Sequence, residues 1–98
     1  MIKKLNDAER RDALSQLPGW AMVKNRDALH KTFVFEDFNA AFGFMTRVAL
    51  EAERINHHPE WTNIYRTVNV ILSTHEVEGI TSLDVDLARF MDVSATQA

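Results

Sequence analysis

Cysteine is absent from the 98 residues, and that one absence excludes disulfides, thiolate nucleophiles and Cys-ligated zinc or iron–sulfur sites together. Any acid–base or metal chemistry must come from histidines, carboxylates and hydroxyls. No apolar run approaches the ~20 residues that a membrane-spanning helix needs. The opening MIKKLNDAER lacks the apolar stretch of a signal peptide, so the expected location is cytoplasmic, with no membrane partner. Basic residues are not in excess: 11 Lys and Arg stand against 14 Asp and Glu, a net charge of −3. They are scattered singly or in pairs, and a chain without a basic stripe has no electrostatic footprint for direct DNA or RNA binding. GxGxxG, P-loop and nucleophile motifs are missing, which leaves nucleotide binding and covalent catalysis without support.

What is present is the composition of an ordinary globular domain, 46% hydrophobic and 26% charged. Residues 1–98 read as one domain. At this length at most about 65% of the unfolded chain's surface is buried on folding, so subunit association is a natural way to bury more. In LNDAERRDALSQLPGW, Asn6 followed by Glu9 has capping-box spacing, Leu14 and Leu17 are the apolar positions, and Pro18-Gly19 ends a short first helix. Two runs rich in Val, Phe and Trp, residues 20–23 and 29–35, flank a polar KNRD turn and read as a hairpin.

Phe38, Ala41, Phe42, Met45, Val48, Ala49, Ala52 and Ile55 then repeat at about 100° per residue, behind Asp37 as N-cap. This is a long amphipathic helix; Gly43 within it weakens propensity and suggests a close approach by another element. WTNIYRTVNVILSTH is β-branched and alternates Ile64, Val68, Val70 and Leu72 with polar residues. It forms one long strand or two strands turning near Tyr65-Arg66-Thr67, and no glycine marks the turn. Thr81 with Asp84 caps a last helix carrying Leu83, Leu87, Phe90 and Met91, and residues 93–98 are expected to fray. The order α-β-β-α-β-β-α makes an α+β domain, a four-stranded antiparallel sheet with helices on one face.

The chain has four histidines. His30 sits mid-strand with no acidic or histidine neighbour close in sequence, and a structural role fits it better than chemistry. His57 and His58 stand at a helix-to-strand corner held by Pro59, where adjacent side chains need not point to opposite faces. If the following segment is a hairpin, His75 returns to the level of that corner. Three imidazoles can serve as general acid and base without metal, as elimination of water requires. A three-histidine zinc site has the right ligand type, but HExxH spacing is absent and adjacent rings are awkward ligands for one ion. Read locally, Glu53 is a solvated helix carboxylate or a ring-orienting group, Asp84 a capping residue, and Trp61 core or a stacking surface.

The blocks EAERINHHPEW and STHEVEGIT, followed by SLDVDLARFMD and preceded by LPGW, resemble the pterin-4a-carbinolamine dehydratase family, also described as the dimerisation cofactor of a homeodomain transcription factor. The resemblance runs from about residue 5 to residue 92 and is most specific in the E-x-x-N-H-H-P-x-W block joined to T-H-E. It implies the same element order, and dehydration of 4a-hydroxytetrahydropterin to quinonoid dihydropterin with no metal and no organic cofactor. It places catalytic roles on His57, His58 and His75 and supporting roles on Glu53, Pro59, Trp61 and Asp84. His57 would protonate the 4a-hydroxyl, His75 receive the N5 proton, His58 and Glu53 hold the pterin, and Asp84 orient a histidine. The implied partners are a pterin substrate, further copies in a homodimer or homotetramer, and an aromatic amino acid hydroxylase whose cofactor is recycled. The competing class is a protein-binding module that uses its helix faces on a regulatory partner.

Overall fold

The computed structural model describes residues 2–97. In chain order the elements are α1 (Asp7–Ser15), β1 (Ala21–Met22), β2 (Leu29–Val34), α2 (Phe38–Ile55), β3 (Glu60–Ile64), β4 (Thr67–Leu72) and α3 (Ser82–Ala95), with one 3-10 turn at His75–Val77. The sheet is antiparallel throughout, in the order β1-β2-β4-β3. Its four strands and the helices on one face agree with the sequence reading. Among the described residues no helix is long and apolar enough to cross a membrane.

Local chemistry sets the helix starts. Asn6 accepts from the Glu9 N–H while Glu9 accepts from the Asn6 N–H, both at 2.8 Å, the reciprocal capping box the spacing predicts. Asp37 accepts from the Ala40 N–H at 2.8 Å, and Thr81 with Asp84 forms the box that opens α3. On α2 the buried residues are Ala41, Phe44, Val48 and Ala52, a narrower stripe than the apolar repeat suggests. Phe38 and Phe42 lie outside it, 48% and 55% exposed, because one small sheet cannot cover so broad an apolar arc. A side chain on Gly43 would meet only Arg47 of the same helix, so the expected close approach of another element is not found.

Alternation along the strands divides the sheet into two faces. Leu29, Phe33, Val68, Val70 and Leu72 are buried toward the helices, while Thr32, Val34, Thr62 and Ile64 are exposed. Phe44 occupies the centre of the core, with its ring 4.8 Å from that of Phe33 and 4.9 Å from that of Phe35. Truncating such a ring to alanine costs about 3–5 kcal/mol. Trp20 meets Phe33 edge-on and donates from Nε1 to Asp92, which also takes the Lys31 ammonium.

The β3–β4 hairpin resolves the choice between one strand and two. Ile64 pairs with Thr67, leaving Tyr65 and Arg66 as the turn, and Tyr65 takes a left-handed conformation at φ 51°. The Asn63 amide closes it by donating to the carbonyls of Tyr65 and Thr67 at 3.0 and 3.1 Å. A two-residue turn changes parity, so Ile64 shares the outer face with Thr67 and not the core face with Val68.

Helix α3 also departs from expectation. Residues 93–95 continue the helix instead of fraying, because Ser94 is buried and its hydroxyl accepts from Arg47 Nε of α2 at 3.0 Å. Thr96 and Gln97 form a turn, and Ala98, the last residue of that tail, lies outside the described residues.

Candidate active site

The end of α2 makes the corner. Asn56 adopts the left-handed conformation at φ 53°, which the short Asn side chain tolerates. The next N–H, that of His57, turns back to the Ala52 carbonyl at 3.0 Å. The chain therefore leaves the helix through His57 and His58 and enters β3 at Glu60.

Pairing of β3 with β4 delivers the other half. Glu60, the first residue of β3, lies opposite Ile71 near the end of β4, so the chain leaving β4 runs on through Ser73 and Thr74 at the end of the hairpin where the corner stands. Beyond Thr74 the chain closes on itself. The Thr74 N–H donates to the Gly79 carbonyl at 2.8 Å and the Gly79 N–H returns to Thr74 at 3.2 Å, with Glu78 left-handed between them. The loop so formed carries His75 and Glu76. A pocket of about 220 Å³ opens between corner and loop, lined by Asn56, His57, His58, Ser73, His75 and Glu76.

Each of the three rings presents Nε2 to a carboxylate. His57 Nε2 is 2.6 Å from Asp84 Oδ1, His58 Nε2 is 3.1 Å from Glu53 Oε1, and His75 Nε2 is 3.1 Å from Glu60 Oε2. An ionised carboxylate can only accept, so in each pair Nε2 carries the hydrogen and Nδ1 is left for other work. His57 is buried and is one of the residues that line the pocket.

Asp84 is the best-anchored of the carboxylates. It has no exposed surface, and its Oδ2 accepts from the Thr81 N–H at 2.9 Å and the Thr74 hydroxyl at 2.8 Å. Since Thr74 gives its hydrogen to Asp84, the Thr81 hydroxyl must donate to Thr74 across their 2.8 Å contact. The helix cap of α3 thus becomes the support of a pocket histidine. The Glu53 pair is on the surface, with side chains 57% and 83% exposed for His58 and Glu53. Glu60 is also bound by both terminal nitrogens of Arg26, one on each carboxylate oxygen, so that Oε2 is shared between Arg26 and His75. These paired bonds, helped by the His75 ring, hold the Glu60 carboxyl at about 2, far below its ordinary 4.5.

His57, His58 and His75 are therefore brought to one pocket, and Asp84 and Glu53 each reach one of the rings. Pro59 and Trp61 are not among the lining residues. Pro59 is half-buried at the corner, and Trp61 packs on the core and borders a separate groove of about 300 Å³ with His30, Glu60, Thr62, Asn69 and Ile71. His30, paired with Ile71 on β4, is not among the residues that line the pocket of the other three histidines. Among the described residues no three His, Cys, Asp or Glu side chains are grouped so as to hold a metal ion.

The sequence reading passed over Glu60, Arg26, Ser73 and the turned-out Asn56. Glu60 was findable, since it sits inside the HHPEW block itself. Arg26 was not, because only the fold brings the β1–β2 loop to β3.

Comparisons with known proteins bear on the family and the fold. Residues 3–94 match the family model described as pterin 4 alpha carbinolamine dehydratase. A Rhodopseudomonas palustris protein named "Putative pterin-4-alpha-carbinolamine dehydratase" is 56% identical over 97 residues, 99% of this chain and 96% of its own. A Burkholderia cenocepacia protein of the same name is 54% identical over 98 residues, covering 100% of this chain and 96% of its own. The crystal structure of a transcriptional coactivator/pterin dehydratase from Brucella melitensis superposes with a TM-score of 0.94 at 46% identity, over 95% of this chain and 99% of that one. The chain belongs to the pterin 4 alpha carbinolamine dehydratase family.

Proposed function

We propose that this protein dehydrates a pterin-4a-carbinolamine to the quinonoid dihydropterin and water, with histidines as the acid and base and no metal or organic cofactor. The observation that carries this reading is the set of three imidazoles at one pocket, each with Nε2 on a carboxylate and Nδ1 left over. The family supports the reaction class.

The chemistry runs as an elimination. The C4a–O bond breaks as the electron pair of the N5–H bond forms C4a=N5. His57, as imidazolium, gives its Nδ1 proton to the departing hydroxyl, which leaves as water. Asp84 keeps the Nε2 hydrogen in both charge states of the ring and fixes its direction. His75 receives the N5 proton on Nδ1. His58 and Glu53 hold the polar edge of the pterin. The quinonoid dihydropterin, once a separate hydride-donating reductase has returned it to the tetrahydropterin, serves an aromatic amino acid hydroxylase again as cofactor, and these steps belong to the cytoplasm. Turnover of a synthetic 4a-carbinolamine by the purified protein, with and without chelator, tests the reading. No acceleration over buffer refutes the activity, and chelator sensitivity refutes the metal-free mechanism.

A second reading rests on α2, where Phe38, Phe42 and Leu50 are 48%, 55% and 70% exposed. Exposed apolar side chains on one helix favour a homodimer or homotetramer built on this face, and the same face suits a regulatory protein partner. The Brucella melitensis protein is called a coactivator as well as a dehydratase. Light scattering decides for or against self-association.

A further inference from the structure

The His75 ring is 74% exposed on its short loop, so little packing holds it. Its one side-chain partner among the described residues is Glu60, at 3.1 Å from Nε2. Glu60 in turn is gripped by Arg26, whose two terminal nitrogens meet the two carboxylate oxygens in a forked pair. Glu60 sits at the first position of β3, a hydrogen-bonded strand, whereas Arg26 comes from the β1–β2 loop. A chain of contacts therefore runs from that loop through the strand to the ring.

The geometry points to Glu60 as a positioning residue that fixes the tautomer and direction of His75, with Arg26 keeping the Glu60 carboxylate in place. This rests on the proposed reading of His75 as the group that receives the N5 proton. A base must offer a lone pair, and His75 offers one at Nδ1 only while Nε2 holds the hydrogen. Glu60 accepts that hydrogen and so selects the tautomer. The same arrangement serves His57 through Asp84, but there the acid is buried, whereas here a forked arginine supplies the rigidity that burial supplies at the other ring. Arg26 holding the carboxyl well below its usual range agrees with an acceptor that stays ionised.

Nitrogen-15 shifts of the His75 ring and steady-state kinetics, measured on the full-length protein, test this together. Three variants separate the contributions: Glu60→Leu removes the acceptor, Glu60→Gln keeps one oxygen, and Arg26→Leu frees the carboxylate. The proposal expects a single Nε2–H tautomer in the wild type and a mixture in Glu60→Leu. It further expects kcat to fall about tenfold in Glu60→Leu with KM little changed, partial recovery in Glu60→Gln, and a smaller loss in Arg26→Leu. An unchanged His75 tautomer in Glu60→Leu overturns it, and so does an altered tautomer with undiminished kcat while His75→Gln is slow. Full turnover by His75→Gln would instead refute the base assignment, and the nitrogen shifts would still decide whether Glu60 holds the ring.

Discussion

The Nε2 atom of His57 lies 2.6 Å from Oδ1 of Asp84, whose carboxylate is fully buried and accepts two more hydrogen bonds, from the Thr81 N–H at the start of α3 and from the Thr74 hydroxyl. One residue thus caps a helix and holds a pocket histidine. Replacing it tests both roles at once.

Asp84→Asn places an amide N–H₂ where every neighbour is a donor. Leaving a buried group unsatisfied costs about 1–3 kcal/mol, which urea unfolding will report. Turnover is expected to fall by about tenfold or more, bounded by the ~10²–10⁴ that general acid catalysis contributes. Wild-type kcat in a folded Asp84→Asn protein would contradict the assigned role.

Asn56 tests the backbone of the corner. Both Asn56→Gly and Asn56→Ala lose the side chain, but only alanine resists the left-handed conformation, at a cost of about 1 kcal/mol or somewhat more. Asn56→Ala should therefore be the less stable and less active of the two. Equal melting temperatures would show that the turn does not depend on that φ.

Acid dependence follows from Glu60. Its folded pKa of about 2 lies below the ordinary 4.5, so its ion pair contributes stability above about pH 4.5 and loses it as pH falls toward 2. The pair is on the surface and screened, and its contribution is about 0.2–1 kcal/mol. The stability gap between wild type and Glu60→Gln should hold constant from pH 7 to about 5 and then close on acidification. A gap that widens in acid would reverse the sign of this argument.

Phe42→Glu probes the exposed face of α2. If that face joins copies of the chain, light scattering will show a smaller particle for the variant, while the monomer's fold is unaffected because Phe42 is outside the core cluster. A wild-type monomer would remove this role from the helix.

Much of this architecture is legible in the sequence because local signals carry it. Asn6/Glu9, Asp37 and Thr81/Asp84 announce the helix starts, and the 3/4 repeat announces α2. The hairpin of β3 and β4 is favoured in the sequence by the return of His75 to the corner and not by any turn signal, since Tyr65 occupies a left-handed turn position usually marked by Gly or Asn. That one ambiguity carries over to Ile64, whose face depends on whether one strand or two are formed. The pairing of His57 with Asp84 could be read as a possibility, but the Arg26–Glu60–His75 chain depends on three elements meeting, and no spacing in a single sequence reports such a meeting.

The most direct measurement is the initial rate of water loss from a synthetic 4a-carbinolamine with wild type, His57→Gln, His58→Gln, His75→Gln and the triple variant. The account predicts catalysis by the wild type, losses of about 10²-fold or more for His57→Gln and His75→Gln, a rise mainly in KM for His58→Gln, and background rate for the triple variant. A folded triple variant that still turns over at the wild-type rate would contradict it.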